Sequence, residues 1–345
     1  MVVIWDGLVS RGYFYDRVER IMGQNLRRLH TQYRIGPGQG NAMRRSSYVA
    51  GSRWIGLLVL SVCLVVLGCG GESEIRPAQT EPEKLEVDFI QEAVWSPSGD
   101  RLLAAWDQGG RYRLYGVLGP DTTGSALEPG SGLRVSDGPD LWPTWSRDGL
   151  WVAFSSTRDG QSEIYRMRPD GMQVERLTDH LAEDADPAFS PDGQSLAFIS
   201  DRTDGAPRLH IMDADGSNVR GVGNGPGTEH HGPAWSPDGT RLAVQITMED
   251  GEYVYLATTA GGWGRVEAGT LPAWAPNGDD IYLTRNDSLL VARASTGSLR
   301  LVLTDGFAPR PSSDGRWLAF VRGEWPTSAL YVLDLETGVE RRLTR

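Results

Sequence analysis

The segment Pro233–Gly239 reads Pro-Ala-Trp-Ser-Pro-Asp-Gly and decides the fold, because the chain contains six versions of it. The other versions occupy residues 93–99, 143–149, 187–193 and 272–278, with a degraded copy at 310–315. Their closing glycines recur at intervals of 37 to 50 residues. A period of about 40–45 residues with four strands per unit is typical of propeller blades. The spacing predicts an all-β protein, a six-bladed β-propeller of four-stranded antiparallel blades over residues 85–345.

Local signals within each repeat indicate four strands. Proline tolerates the first position of a strand, and Ser-Pro-Asp-Gly supplies a tight turn. An alternating apolar strand follows, such as residues 195–199, then a polar loop (201–205), a third strand (209–212) and a short fourth strand. One repeat cannot bury its own apolar faces, so neighbouring blades must pack on each other. The expected fillers between blades are the aromatic residues of the repeated phrase: Trp95, Trp145, Phe189, Trp235 and Trp274.

The N-terminal part has the pattern of an export signal. Residues 54–68 carry no charge and lie between Arg53 and Cys69. This run is shorter than the roughly 20 residues of a membrane span and suits the apolar core of a signal peptide. The ending Val66-Leu67-Gly68-Cys69 resembles the lipobox of bacterial lipoproteins, which implies lipidation at Cys69 and membrane anchoring. The alternative is an uncleaved signal anchor.

These patterns divide the chain into four parts. Residues 1–42 are interpreted as a non-native N-terminal extension from upstream translation or, alternatively, as a cytosolic one. Residues 43–69 form the lipoprotein signal peptide or membrane segment, with one N-terminal hydrophobic helix. Residues 70–84 are rich in Gly, Glu and Pro and are expected to form a disordered, flexible linker before the propeller.

Charge and cysteine content exclude several classes of protein. The chain has 34 basic and 45 acidic residues, and nine of the arginines but only three acids fall within residues 1–68. The remainder is therefore strongly acidic and would repel phosphate backbones, so no nucleic-acid partner is expected. The two cysteines, Cys63 and Cys69, cannot supply a disulfide framework or a cysteine-based zinc site in the repeats.

The repeated phrase, the Ser-x-Arg-Asp-Gly loop and the Leu-Thr ending resemble TolB-type, WD-like propeller repeats over about residues 92–345. This resemblance implies the propeller fold, and it leaves function open because one fold serves many activities. The sequence departs from TolB itself, which has an α/β domain before its propeller. Here residues 70–90 stand between Cys69 and the first repeat.

Candidate binding residues lie nine positions before the turn glycines, where TolB-type repeats often carry Asp. Consecutive repeats have Asp140, Asp184 and His230 there, with Asp186 and His231 close by. Carboxylates and imidazoles are suitable ligands for a divalent cation, and the candidates for such a site are His180, Asp184 and His230. The alternative is that the acids accept backbone N–H bonds and the histidines are solvated. No other cofactor is expected.

Arg158 and Arg202 lie on loops between second and third strands, each beside an aspartate. One interpretation is a structural ion pair that ties neighbouring blades, and the other is capture of a partner's carboxylate. The hydrolase motif GxSxG is not matched, since Gly160-Gln-Ser162 and Gly193-Gln-Ser195 lack the final glycine. A non-enzymatic role is therefore favoured.

The sequence as a whole predicts an exported, membrane-anchored propeller that acts as a protein-binding scaffold in the bacterial cell envelope. The expected location is periplasmic, as an outer-membrane lipoprotein in a cell with two membranes. The expected partner is an envelope protein or glycan, and the propeller is expected to be monomeric. The alternative is a metal-assisted lyase or hydrolase that uses the His/Asp cluster at the channel face.

Overall fold

The computed structural model describes residues 88–108, 111–120, 133–324 and 326–344. The hydrophobic helix and tether expected within residues 43–84, and the extension 1–42, lie outside these residues, as does Cys69. The described chain consists of 24 β-strands with turns and loops, and it contains no α-helix. Within these ranges no helix has the length and apolar character needed to cross a membrane.

The strands follow the repeat, and we number the repeat units 1 to 6 in chain order. Unit 1 contains β1 (Asp88–Trp95), β2 (Arg101–Gln108), β3 (Tyr112–Leu118) and β4 (Leu133–Arg134). Unit 2 contains β5 (Asp140–Trp145), β6 (Val152–Ser156), β7 (Glu163–Met167) and β8 (Glu175–Arg176). Unit 3 contains β9 (Asp184–Phe189), β10 (Ser195–Ser200), β11 (Arg208–Asp213) and β12 (Arg220–Gly221).

The second half continues the pattern. Unit 4 contains β13 (Glu229–Trp235), β14 (Arg241–Met248), β15 (Gly251–Thr258) and β16 (Trp263–Ala268). Unit 5 contains β17 (Thr270–Trp274), β18 (Asp280–Arg285), β19 (Ser288–Arg293) and β20 (Leu299–Thr304). Unit 6 contains β21 (Phe307–Pro311), β22 (Trp317–Glu324), β23 (Thr327–Asp334) and β24 (Glu340–Arg342). Every sheet pairing within a unit is antiparallel, which confirms the predicted blade type.

The arrangement of sheets differs from the expectation of six separate blades. Units 2, 3, 4 and 5 each form a separate four-stranded sheet, whereas units 1 and 6 share one eight-stranded sheet. The physical reason is one parallel pairing, Asp88 with Thr327, which joins β1 to β23. Two hydrogen bonds of Ser328 Oγ support it: the hydroxyl accepts from Ile90 N at 2.7 Å and donates to Ile90 O at 3.0 Å. Four sheets therefore stand separately among the described residues, not six.

The first strands of the units lie at the centre of the arrangement. They contact one another in a closed cycle from β1 through β5, β9, β13, β17 and β21 back to β1. Buried apolar clusters join successive units, for example Ala153 and Ile164 of unit 2 with Leu196, Phe198 and Met212 of unit 3. Burial of such side chains between sheets is the main favourable contribution to folding. The packing thus explains why no single repeat could be stable alone.

The Ser-Pro-Asp-Gly phrase forms the turn that the sequence predicts. In unit 4, Ser236 Oγ donates to Asp238 Oδ1 at 2.6 Å, and Ser236 Oγ accepts from Arg241 N at 2.9 Å. Gly239 has a φ of 71°, a left-handed conformation that side chains with a Cβ rarely adopt. These contacts fix the register of β13 against β14.

A second recurrent feature was not expected from the sequence. Seven positions before the turn glycine, the first strands of units 2 to 6 bulge, and the bulged residue has a positive φ: Trp142, Asp186, Gly232, Leu271 and Ala308. In units 3 to 6 the freed N–H group donates to a side chain of the preceding unit. Asp186 N donates to Ser155 Oγ at 3.0 Å, and Ala308 N donates to Thr284 Oγ1 at 3.2 Å. The bulges therefore couple units 3, 4, 5 and 6 each to its predecessor.

Candidate binding face at the start of the central strands

Asp140 and Asp184 occupy the first positions of β5 and β9 and are completely buried. Arg158 Nη2 donates to both carboxylate oxygens of Asp140 at 2.9 Å, and Arg202 Nη2 donates to Asp184 Oδ2. Each arginine also donates through Nε to a serine of its own unit, Ser156 at 3.0 Å or Ser200 at 2.9 Å. We call this arrangement the Asp–Arg lock.

The lock lies inside a unit, so the interpretation as a tie between neighbouring blades is wrong. The aspartate begins the first strand, and the arginine follows the second strand of the same antiparallel pair, 18 residues later. The guanidinium of Arg158 also lies over Phe154 and Tyr165, with 5.2 and 4.9 Å to the ring centroids. Burial raises the pKa of Asp184, and the Arg202 charge opposes this effect. The lock holds the turn to the sheet; both oxygens of Asp140 are bonded, whereas Asp184 Oδ1 is buried without a hydrogen-bond partner among the described residues.

His230 takes the same repeat position in unit 4, and both ring nitrogens are occupied. Nδ1 accepts from Leu209 N at 3.1 Å, and Nε2 lies 3.1 Å from Pro226 O, so Nε2 carries the proton. The ring packs against Trp263 at a centroid distance of 5.0 Å. Burial lowers the pKa of His230 to about 4, so the imidazole is neutral at physiological pH. It acts as a core residue that links units 3 and 4.

His180 lies on the loop before β9, which we call the 179–183 loop. Its Nδ1 accepts from Ala182 N at 3.0 Å, and its backbone N–H donates to the buried Glu163 at 3.0 Å. Asp184 and His230 form their hydrogen bonds with other groups of the protein, Arg202 for Asp184 and backbone groups for His230. Within the described residues, no group of three or more His, Cys, Asp or Glu side chains is arranged to hold a metal ion. The structure does not bring His180, Asp184 and His230 together as a ligand set.

Asp186 is the bulged residue of β9, and His231 lies next to the bulged Gly232 of β13. Asp186 Oδ2 accepts from Gly232 N at 2.9 Å, which joins units 3 and 4. His231 Nε2 lies 3.3 Å from Glu229 Oε2. Burial lowers the pKa of His231, but the hydrogen bond that the imidazole donates to Glu229 and the charge of Asp186 outweigh this effect, so the net shift of the pKa is upward. Asp186 shows an upward pKa shift because it is buried.

The sequence reasoning missed Glu92 and Arg310, which form an ion pair at 2.7 Å near Asp186. Glu92 stands seven residues before Gly99, at the repeat position that bulges in units 2 to 6, so counting from the turn glycine would have found it. Burial raises the pKa of Glu92 to about 7, the Arg310 charge opposes this shift, and the Asp186 charge adds to it. These residues come from units 1, 3 and 6 and line the centre of the arrangement.

The sequence also gave no reason to select Glu163, which accepts a hydrogen bond from the 179–183 loop. This fully buried carboxylate accepts from Arg176 Nη2 at 2.6 Å, from Thr178 Oγ1 at 2.5 Å and from His180 N. Two further contacts hold the loop: Ser162 N donates to Glu183 Oε2, and Glu183 N donates to Asp201 Oδ1. At its tip, Leu181 is 93% exposed. The face thus combines aspartates that are paired with arginines and an exposed Leu181 on a loop held by hydrogen bonds.

The fold and the repeats define the class of protein, a β-propeller with antiparallel four-stranded units. Residues 133–285 match the family model described as the TolB beta propeller domain. The chain is 35% identical over 159 residues to the uncharacterized protein Atu1656 of Agrobacterium fabrum, covering 43% of this chain and 52% of that protein. It is 31% identical over 194 residues to a protein TolB homolog of Chlorobium luteolum, covering 56% and 36%.

One solved structure with a similar fold is an oligogalacturonate lyase in complex with manganese. The TM-score is 0.51 at 14% identity, with coverage of 75% of this chain and 78% of that one. At this identity the likeness concerns the fold alone. The chain spans about half or less of the length of the two curated relatives. Residues 133–285 thus match a TolB-type propeller domain, and the repeats and the relatives support a TolB-type propeller protein.

Proposed function

We propose that this protein is an exported, membrane-anchored scaffold that binds a protein of the bacterial cell envelope through the face carrying the 179–183 loop. The observation that carries the proposal is Leu181, which is 93% exposed at the tip of a loop held by partly buried hydrogen bonds. A rigid loop loses little conformational entropy on binding, so an exposed apolar residue there is well suited to anchor a partner. Relatedness to a TolB homolog supports an envelope location.

The state of the polar groups on this face also favours binding over catalysis. Asp140 and Asp184 are paired with arginines, and His230 uses both nitrogens to hold backbone groups. Asp184 Oδ1 has no hydrogen-bond partner in the described part of the chain, but it is buried and does not face solvent. A general base or a metal ligand would need a free lone pair that faces a substrate. The groups at this face instead stabilise the loops that a partner would contact.

Site-specific crosslinking in cells tests the proposal. A photoreactive residue in place of Leu181 is expected to yield a discrete crosslinked product, while the same residue in place of Leu301 is not. Leu301 is a matched control because it is 53% exposed but lies on β20, a fourth strand at the opposite edge of its sheet from the first. Leu181→Asp should abolish recovery of the same partner, and Leu301→Asp should not. Equal products from both positions would refute the assignment of the face.

The proposal also has two structural parts, the membrane anchor at Cys69 and the closure of the propeller ring. We propose that Cys69 is lipidated and that the eight-stranded sheet represents blades one and six, joined at the closure of a six-bladed ring. The packing of β1 on both β5 and β21 supports this ring closure. Labelled palmitate should be incorporated into the wild type and not into Cys69→Ala. Label in the variant would overturn the lipidation site.

The alternative function, a metal-assisted lyase or hydrolase, makes a separate prediction. Calorimetric titration with manganese, zinc and calcium should give saturable heat that His180→Ala and Asp184→Asn abolish. Heat of this kind together with loss of the crosslink at Leu181 would favour the enzyme over the scaffold.

A further inference from the structure

A groove of about 450 Å³ lies between units 3 and 4 on the side of the Ser-Pro-Asp-Gly turns. This is the opposite end of β13 from His230, so the groove is separate from the face described above. Its lining includes Trp235, Ser195, Ile211, Arg220, Asp192 and Asp238. An aromatic ring and two carboxylates in one groove are a combination that recognises cations.

The next junction of the same protein shows what fills the equivalent space. Between units 4 and 5, the guanidinium of Arg241 lies over the ring of Trp274 at 4.9 Å and donates to Gly278 O at 3.4 Å. Trp274 is buried there, with 7% exposure. Arg241 lies two residues after its turn glycine, Gly239.

In unit 3 the residue two positions after the turn glycine is Ser195, whose side chain is too short to cover an aromatic ring. Trp235, which occupies the position of Trp274 in the repeat, is accordingly only partly buried. The indole Nε1 donates to Ala188 O at 3.0 Å, so the ring is fixed in place. The groove is thus the space that an arginine side chain occupies one unit further on.

The charges around the groove favour a cation. The Oδ1 atoms of Asp192 and Asp238 accept from Ser190 and Ser236, and these bonds lower the pKa of both carboxyl groups, that of Asp238 to about 2. Both aspartates are therefore ionised at neutral pH. The cation in the lining is Arg220, whose Nη1 donates to Thr259 O at 3.1 Å. Two negative charges against one positive charge leave the groove net negative.

We propose that this groove binds the guanidinium group of an arginine side chain from a partner peptide. The guanidinium stacks on Trp235 and donates to the carbonyl oxygen of Gly239, the counterpart of Gly278. The carboxylates of Asp192 and Asp238 provide the attraction at the rim. The site is independent of the Leu181 face, so either can fail without the other.

The test is a titration of the purified full chain, labelled with fluorotryptophan, with N-acetyl-arginine amide, followed by ¹⁹F NMR. The Trp235 resonance, one of 12 tryptophan signals, is assigned by its loss in Trp235→Phe. We expect this signal to shift with saturation in the millimolar range, typical of a single small contact. The control ligand is N-acetyl-citrulline amide, which has a similar shape without the charge and should give no saturating shift.

Two reciprocal variants make the test decisive. Ser195→Arg should fill the groove from within, as Arg241 does in the next junction, and weaken binding about tenfold or more. Arg241→Ser should open the second groove, so that the Trp274 signal now shifts with the arginine ligand. Unchanged binding in Ser195→Arg, an equal response to citrulline, or no shift of Trp235 in the wild type would each overturn the proposal. If Ser195→Arg does not fold, the Arg241→Ser result decides.

Discussion

Units 2 and 3 differ from unit 4 at one equivalent position of the repeat. Units 2 and 3 begin their first strand with a buried aspartate that is locked by an arginine, whereas unit 4 has a neutral histidine held by backbone groups. The position of the arginine is taken by Met248 in unit 4. Units 2 to 4 thus fill this point with a hydrogen-bonding side chain, charged in two units and neutral in one, whereas units 1, 5 and 6 have Ile90, Gly269 and Gly306 there. The stability of the protein should therefore respond differently to substitution and pH at the Asp–Arg locks than at the neutral His230.

The largest expected effect comes from removing the positive half of a lock. Arg158→Met leaves Asp140 completely buried without a counter-charge, and loss of one partner of a buried pair costs about 3–5 kcal/mol. Urea unfolding of the wild type and the variant measures the change. The double variant Asp140→Asn/Arg158→Met should recover part of the loss because no charge is left buried. A cost below about 1 kcal/mol for the single variant would show that the lock contributes little.

The second prediction concerns the pH dependence that His230 gives to unit 4. The folded-state pKa of about 4 lies below the ordinary value of 6.5, so the unfolded state binds more protons between these values. Stability due to His230 is therefore complete above pH 6.5 and is lost as the pH falls towards 4, by up to about 3 kcal/mol.

The measurement is a difference between two unfolding curves, because Glu92 acts in the opposite sense. Its pKa is raised to about 7, so its contribution falls as the pH rises from 4.5 to 7. Subtracting the pH profile of His230→Gln from that of the wild type cancels the Glu92 effect. A flat difference profile from pH 4 to 7 would contradict the neutral, buried state of His230.

The smallest expected effect concerns the serines that orient the arginines of the locks. Ser156→Ala removes the acceptor for Arg158 Nε at 3.0 Å and should cost about 1 kcal/mol, as should Ser200→Ala in unit 3. In the background of Arg158→Met, Ser156→Ala should cost almost nothing, because the two residues form one network. Additive costs in chemical denaturation would show that the serine acts independently of the lock.

Much of the fold could be predicted because its determinants are local. The Ser-Pro-Asp-Gly turn closes through bonds between residues only two to five positions apart, as Ser236 shows with Asp238 and Arg241.

The contacts of the candidate binding face were harder to predict. Arg158 was predicted to form an ion pair with a neighbouring unit, but it pairs with Asp140 of its own unit. Sequence alone does not show which hairpin a side chain turns back onto.

Contacts between distant residues account for what the sequence did not reveal. Glu92 and Arg310 meet although 218 residues separate them, and only the ring arrangement brings them together. The joining of units 1 and 6 has the same origin, because Ile90 bonds to Ser328 across 238 residues. His230 became a candidate ligand because its residue type fits a metal, whereas the structure shows that both nitrogens are used within the core.

The bridge between β1 and β23 also has a consequence for biogenesis. The first strand of the described residues, Asp88–Trp95, completes its contacts only with Thr327–Asp334, which is synthesised much later. Until then the apolar side chains of Ile90 and Trp95 have no unit 6 to cover them. A nascent chain halted before residue 327 should therefore remain open and bind chaperones, and release of β23 and β24 from the ribosome should end that association.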